Sequence, residues 1–381
     1  MATTNKPNKL RSALILGGGG ARAAYQVGVL KAIAELVPQG EENPFPIVCG
    51  TSAGSINTVA LASNASNFHL GVERITQVWS NFELHHVFYA DTKNLMKRIT
   101  KWVWSNIGPG NWEKGPSSLL DNQPLRELLN EYISFEKIDA SISNGDLYGY
   151  CLTACSYDTG ESTSFYDGNN SIQDWQRTHR EGIRKKMSID HLMASSAIPV
   201  IFPSVELESE HFGDGSMRQM SPISPALHLG AEKILIIGLR KESKESKKAI
   251  TPHTRPTLGQ IAGYILDTLF LNSLQSDIER MERVNRTLQE SKECKPDSKL
   301  NIVEHIVISP SDDIADIAMR HYKKLPKSFR IALKFLGLSK GNSRRFISYL
   351  MFTKTFCQEL IELGYQDALA QRDELIEFLD K

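Results

Sequence analysis

Two short runs near the start of the chain combine residue types that suit acyl chemistry. Gly50-Thr51-Ser52-Ala53-Gly54 fits G-x-S-x-G, the pattern in which a serine sits on a turn too tight for neighbouring side chains and exposes its hydroxyl as a nucleophile. A helix starting just after such a serine aims its N–H groups there and favours a developing alkoxide. The chain has 26 glycines, so the pentapeptide could also be a plain glycine-rich turn. Gly17-Gly18-Gly19-Gly20-Ala21-Arg22 offers backbone N–H groups unobstructed by side chains, with Arg22 as a nearby positive charge. That arrangement suits the oxyanion of an acyl-transfer intermediate, or a phosphate. Gly18, Gly20 and Ala23 also meet the loose G-x-G-x-x-A dinucleotide fingerprint. A dinucleotide site takes an acidic residue at the end of the next strand, where this chain has Gly50-Thr51-Ser52. The oxyanion reading is therefore preferred, with a nucleotide-binding protein as the alternative.

A serine nucleophile needs a base. The ten histidines offer no clear partner. His85 and His86 fall in a surface-type segment, and His305 lies inside an apolar strand pattern, where it could be forced into a serine–acid–histidine order. The other candidate is a carboxylate acting directly. Asp214, in Gly213-Asp214-Gly215-Ser216, follows an extended, proline-marked stretch at 198–212. An Asp between glycines is, taken alone, usually a turn residue, so the residues leave both bases open.

These groups must be positioned by the elements around them. Ser12–Leu16 is a short apolar run that ends in four glycines, and 47–49 is a second apolar run that ends at Gly50. Both read as buried strands. Tyr25, Val27, Val29, Leu30, Ile33 and Leu36 recur at helical spacing, and 53–63 is a second helix. Strands separated by helices predict a mainly parallel sheet covered on both faces. Further strands are predicted at 147–154, 162–166, 233–239 and 301–308. Helices are predicted at 124–133, 258–288, 312–322 and 344–378, and exposed loops at 241–256 and 290–299. The expected organisation is one α/β domain over 10–310 with a helical C-terminal extension over 311–381.

Composition excludes other classes. The 381 residues include 44 basic and 44 acidic side chains and are 41% hydrophobic, which fits neither a disordered nor a fibrous chain. No apolar run approaches the roughly 18 residues of a spanning helix, and the apolar stretch after the basic N-terminus is too short for a secretion signal. The five cysteines at 49, 151, 155, 294 and 357 form no disulfide framework or metal-spaced pair, so a reducing compartment is expected. Asn64 and Asn285 fit the glycosylation pattern, which carries no weight without such a signal.

Three patches in this order resemble the patatin-like phospholipases: Gly18-Gly19-Gly20-Ala21-Arg22, Gly50-Thr51-Ser52-Ala53-Gly54 and Asp214-Gly215. Supporting stretches are similar too, among them 24–30, 194–199, Pro203, 224–226 and 229–231. The likeness runs over about residues 10 to 310. It implies a three-layer α/β fold and a Ser–Asp dyad without a catalytic histidine. On that resemblance Ser52 is the nucleophile, Asp214 the general base, and Gly18, Gly19, Gly20 and Arg22 the oxyanion hole. An ordinary aspartate, with a pKa of about 3.9, is a poor base for serine at neutral pH, so burial and oxyanion stabilisation must make up the difference. The chain departs from the family at Ala23, where Gly is common, at Ser216, where Gly or Ala is common, and at Met220, where many members have Asn.

The resulting expectation is a lipid acyl hydrolase that cleaves a carboxylic ester of a glycerophospholipid or lysophospholipid, with no metal or organic cofactor. Acyl transfer, soluble-ester hydrolysis and a non-catalytic membrane adaptor are the rival readings. The absence of net charge hides a polarity: 317–358 carries ten Lys or Arg and no acid, while the segments on either side are acidic overall. Interleaved with those charges are Phe329, Leu333, Phe335, Leu336, Leu338, Phe346, Tyr349 and Phe352. Basic heads over an apolar face suit an anionic membrane surface. No RNA- or DNA-binding motif accompanies them, so nucleic acid is not an expected partner. Ile99, Trp102, Val103, Trp104 and Ile107 with Lys97, Arg98 and Lys101 read as a lid, an interfacial helix or a core-packed helix. The expected location is cytoplasmic, with peripheral membrane contact.

Overall fold

The computed structural model describes residues 10–40, 43–89, 92–107, 117–241, 255–290, 300–338 and 343–380. Nearly all of the loops expected at 241–256 and 290–299, and the side chains of Val103 and Ile107, lie outside the described residues. Among the described residues, ten strands form a single sheet: β1 (Ser12–Leu16), β2 (Ile47–Thr51), β3 (Gly149–Ser156), β4 (Ser162–Gly168), β5 (Trp175–Arg177), β6 (Arg180–Arg184), β7 (Val205–Leu207), β8 (Glu210–Asp214), β9 (Lys233–Ile237) and β10 (Glu304–Ile308). The helices are α1 (Ala24–Leu36), α2 (Ala53–Ala62), α3 (Phe68–Ser80), α4 (Thr92–Ile107), α5 (Gln123–Tyr132), α6 (Phe135–Asn144), α7 (Ile189–Ser195), α8 (Ser224–His228), α9 (Leu258–Glu290), α10 (Ile314–His321), α11 (Lys327–Phe335), α12 (Arg344–Tyr349), α13 (Lys354–Ala370) and α14 (Arg372–Asp380).

The sheet order is β10-β9-β1-β2-β3-β4-β6-β5, and β10 through β3 run parallel. Of these, β1, β2 and β9 are buried along their whole length because both faces are covered. In β1, Leu14 and Leu16 join the larger core beneath α1, α2, α3 and α13. Ala13 and Ile15 join a smaller core that includes residues of α8 and α9. The three-layer architecture follows from this two-sided burial. Beyond β3 the sheet is mixed: β3 pairs antiparallel with β4 on one side and, past the end of β2, with β8, while β4 and β6 run parallel. β8 and its partner β7 were not legible in the sequence, nor were the short β5 and β6.

The helical C-terminal region is present, and its helices share the main core. α13 lies along α1 at a separation only glycine permits: a Cβ on Gly28 would come 1.9 Å from the Ile361 carbonyl oxygen, and one on Gly364 2.1 Å from that of Tyr25. The Tyr25 hydroxyl donates to Asp367 at 3.0 Å. From α14, the Phe378 carbonyl accepts from the fully buried Lys233 ammonium at the start of β9.

This packing corrects the amphipathic reading of 317–358. Phe329, Leu333, Leu338, Phe346, Tyr349 and Phe352 are buried, because helical apolar spacing marks a core-facing stripe as readily as an interfacial one. Several of the basic groups are paired: Arg320 with Glu359, Arg344 with Asp316 and Arg345 with Asp267. Ile331 and Phe335 on α11 stay exposed. The long helix expected at 344–378 is three helices, α12 to α14. In α4, Leu95 and Ile99 are buried and Arg98 pairs with Asp121, while Trp104 is 77% exposed.

Candidate active site

Ser52 leaves the end of β2 with φ 55° and ψ −130°, a conformation that side-chain-bearing residues rarely adopt, and α2 begins at the next residue. Such strain needs support from the surroundings. The Ser52 N–H donates to Ser195 Oγ at 3.0 Å, and that hydroxyl donates to the Thr153 carbonyl at 2.7 Å. The Ser52 carbonyl accepts from the backbone and hydroxyl of Ser55. Two residues on, a Cβ on Gly54 would lie 2.0 Å from the Leu16 carbonyl oxygen. The second glycine of the pentapeptide thus lets α2 seat against the end of β1, next to the glycine loop.

Sheet register brings Asp214 to the same place. Thr51, the last residue of β2, pairs with Thr153; the next residue of β3, Ala154, pairs with Asp214 of β8. The carboxylate therefore stands one step past the point where Ser52 turns off the sheet. Asp214 is fully buried, and its Oδ1 accepts from the Ser216 N–H at 2.9 Å. Oδ2 is also buried, without a hydrogen bond of ordinary geometry among the described residues. Burial pushes the Asp214 carboxyl up from 3.8 to about 6, with hydrogen bonding from the Ser52 hydroxyl and from Ser216 opposing the rise. Thr51 and Thr153 are tied together by Gln219, which accepts from one hydroxyl and donates to the other.

The glycine loop is held from within by buried amides. Gln26 Nε2 donates to the Gly17 carbonyl at 2.8 Å, Asn57 Nδ2 to Gln26 Oε1 at 2.9 Å, and Trp79 Nε1 to Asn57 Oδ1 at 2.8 Å. Gln26 and Asn57 sit on otherwise apolar helical stretches, and a polar residue out of place in such a stretch was the signal that could have found them. Gly18, Gly19 and Gly20 are buried, and Gly20 is left-handed at φ 54°. Arg22 is placed differently from the sequence reading. Its side chain is 4% exposed, and its guanidinium turns to Ser348, Asp267 and the Arg345 carbonyl instead of lining the cavity at Ser52.

That cavity encloses about 930 Å³, part of it open to solvent, and has Gly20 and Ser52 in its wall. The rest is mostly apolar, with Ile56, Val78, Phe82, Leu129, Ile198 and Phe352 among its lining residues and Arg74 and Tyr132 also on it. None of the described histidines lines it. His305 is on β10, three strands from β2 and near the opposite end of the parallel strands, with Glu282 3.4 Å away. The serine–acid–histidine option therefore fails on geometry. His86 accepts the Glu83 N–H in a surface turn. The nucleotide alternative gains nothing at β2, which ends in Gly50 and Thr51 without a carboxylate.

A family model described as patatin-like phospholipase matches residues 14–227. The chain is 25% identical over 216 residues to the cGAMP-activated phospholipase of Pseudomonas aeruginosa, covering 56% of this chain and 55% of that protein. It thus spans about half the length of that relative. It is also 25% identical over 306 residues to uncharacterized protein YjjU of Escherichia coli, covering 80% of this chain and 71% of that protein. Among solved structures, human GIVD cytosolic phospholipase A2 aligns with a TM-score of 0.45 at 11% identity, over 97% of this chain and 60% of the other. VipD from Legionella pneumophila aligns with a TM-score of 0.34 at 12% identity, over 97% and 67%.

Proposed function

Because the chain belongs to the patatin-like phospholipase family, we propose that it hydrolyses a carboxylic ester of a glycerophospholipid or lysophospholipid through an acyl-Ser52 intermediate. The observation that carries this reading is the strained, buried Ser52 opening into an apolar cavity beside a fully buried aspartate whose pKa burial has raised to about 6. A carboxylate with a pKa near the working pH is a far better proton acceptor than an ordinary aspartate. In this scheme Asp214 Oδ2 takes the Ser52 proton as Oγ attacks the ester carbonyl. Backbone N–H groups of the loop at Gly18, Gly19 and Gly20 stabilise the oxyanion. Protonated Asp214 returns the proton to the departing alkoxide. Water then attacks the acyl-serine, again losing its proton to Asp214, which passes that proton to the departing Ser52 Oγ as the fatty acid is released. The acyl chain occupies the apolar cavity.

We propose the exposed side of α11 as the place of contact with an anionic lipid surface. Lys323 and Lys324 precede it, and Lys327, Ile331, Lys334 and Phe335 are exposed along it. α4, which packs on α11, carries the exposed Trp104. Apolar side chains ringed by lysines suit an anionic headgroup layer. Among the described residues no helix is long and apolar enough to cross a membrane.

The test is fluorophosphonate labelling of the full chain with the adduct mapped by mass spectrometry. Labelling at Ser52 is expected, absent in Ser52→Ala and strongly slowed in Asp214→Asn. Folded wild-type protein that stays unlabelled while a control serine hydrolase reacts would exclude the scheme.

A further inference from the structure

Four consecutive glycines give the proposed oxyanion loop great freedom, whereas oxyanion stabilisation requires donors already fixed at the position of the developing charge. Something outside the loop must hold it. Arg22 is the first long side chain after the glycines, and it is buried with its charge, which is costly unless that charge is fully partnered. Its partners come from α9 and α12. Arg22 Nε donates to Ser348 Oγ at 2.9 Å, and Nη2 donates to Asp267 Oδ1 and to the Arg345 carbonyl, each at 3.3 Å. The Ser348 hydroxyl donates to that same carbonyl at 2.6 Å, which leaves its oxygen as the acceptor for Arg22. The guanidinium lies 3.9 Å over the Tyr349 ring, and the Tyr349 hydroxyl donates to Asp267 Oδ1 at 2.8 Å.

The backbone is clasped as well. A Cβ on Gly20 would come 2.3 Å from the Tyr349 carbonyl oxygen, and one on Gly18 2.7 Å from the Phe270 ring. Phe270 and Tyr349 pack against each other with centroids 5.1 Å apart. The glycine loop is thus seated on α9 and α12, elements more than 200 residues further along the chain.

We propose that Asp267, Ser348 and Tyr349 are positioning residues for catalysis, which fix the glycine loop in its oxyanion-binding geometry through Arg22. This assigns α12, within the C-terminal extension, a role in the reaction. It also gives the Arg22 guanidinium the role of a tether, so that it does not act as an electrophile. The proposal rests on the acyl-Ser52 scheme above.

The test compares wild type with Ser348→Ala, Ser348→Thr, Tyr349→Phe and Asp267→Asn in the full chain. Three readouts are used: kcat and KM on a soluble aryl ester, affinity for an alkyl trifluoromethyl ketone, whose adduct with serine carries the oxyanion, and affinity for the matching unreactive alkyl ether. Ser348→Ala should lose about 10-fold in kcat, less than the ~10²–10³ that removal of a direct oxyanion donor costs. KM and ether affinity should stay within about twofold and ketone affinity should fall in step with kcat, since only interactions made in the transition state are lost. Ser348→Thr, which keeps the hydroxyl, should recover most of the loss. If Asp267→Asn does not fold, the Ser348 and Tyr349 variants decide the matter. Folded variants with wild-type kcat and ketone affinity overturn the proposal, as does a loss shared equally by ketone and ether. If wild type itself fails to react with fluorophosphonate at Ser52, the underlying scheme is what falls.

Discussion

Burial raises the proton affinity of Asp214, which suits the base proposed above, and at the same time weakens the fold, and substitution separates the two effects. In the unfolded chain this carboxyl titrates near its ordinary 3.8; in the folded protein it titrates at about 6. Below the lower value it is protonated in both states and adds no pH-dependent term. Between the two values the folded state binds more protons than the unfolded one, so stability falls as pH rises through that window, and above it the whole penalty remains. A difference of about two units corresponds to about 3 kcal/mol. Asp214→Asn removes the charge at nearly constant shape, keeps the acceptor for the Ser216 N–H, and puts an amide nitrogen in place of Oδ2. At pH 7.5 the variant should therefore be more stable than wild type by up to about 3 kcal/mol. For a chain of 381 residues at ~2.1 cal/mol/K per residue, that amounts to about 4 °C in Tm. Near pH 4 the advantage should shrink to a small fraction. Meanwhile hydrolysis of a soluble ester should fall by ~10²–10⁴, the range of a lost general base, and wild-type kcat/KM should drop tenfold per pH unit below about 6. Thermal unfolding of both proteins from pH 4 to 8 at fixed ionic strength, paired with pH–rate profiles, measures all of this. Parallel stability curves for the two proteins would show that the carboxylate is not the desolvated group described here.

Three further outcomes follow from the packing. Gly54→Ala places a methyl against the Leu16 carbonyl oxygen and should cost at least the ~1–3 kcal/mol of an overpacked site, read as a lower Tm with a sharp loss of fluorophosphonate labelling. Ile331→Glu with Phe335→Glu changes only exposed positions. It should weaken co-sedimentation with vesicles containing anionic phospholipid while kcat on a soluble ester stays within about twofold; unchanged vesicle binding would remove α11 as the contact surface. Deleting 311–381 strips α13 from α1 and Phe378 from Lys233. The shortened chain should show no cooperative thermal transition, and a folded, labelled 1–310 fragment would contradict the shared core.

What could be read from the sequence was local in character. Ser12–Leu16 and Gly50-Thr51-Ser52-Ala53-Gly54 announce a strand, a turn and a helix through apolar runs and glycines, and the structure has those elements there. The position of Asp214 depended on register instead. Nothing in its neighbours states that β8 replaces β2 beside β3 one residue beyond the partner of Thr51, because pairing between positions as far apart in sequence as Ala154 and Asp214 leaves no periodic trace. β8 is only partly buried along its length, so its apolar signal was weak too. The 317–358 stretch is narrowed to α11 for a different reason. Its charges and apolar residues were correctly seen, but spacing alone does not say whether the apolar stripe meets protein or lipid. The Arg22 tether was beyond reach for the same reason as Asp214: its partners lie on α9 and α12.

The energetics of the site explain why so much of the chain is enlisted to build it. A non-glycine residue at φ 55° costs about 1–3 kcal/mol, and a desolvated Asp214 about 3 kcal/mol more by its pKa. Arg22 adds a buried charge that is tolerable only while Asp267, Ser348 and the Arg345 carbonyl stay in place. Together these approach the net stability of an ordinary domain, about 5–15 kcal/mol, so the first 310 residues must draw on apolar burial elsewhere. α13 on α1 supplies it at the helix that directly follows the glycine loop, where Phe356, Cys357 and Leu360 are fully buried. Destabilising substitutions on α13 should therefore reach the site through α1 and the loop, lowering the fluorophosphonate reaction rate at temperatures well below the melting transition. Equivalent losses made in the smaller core, at Ile234 or Ile236 on the far face of the sheet, should lower Tm by a similar amount with little change in that rate. If both sets of substitutions slow labelling equally for a given loss of Tm, the coupling of the C-terminal helices to the site is no more than general stability.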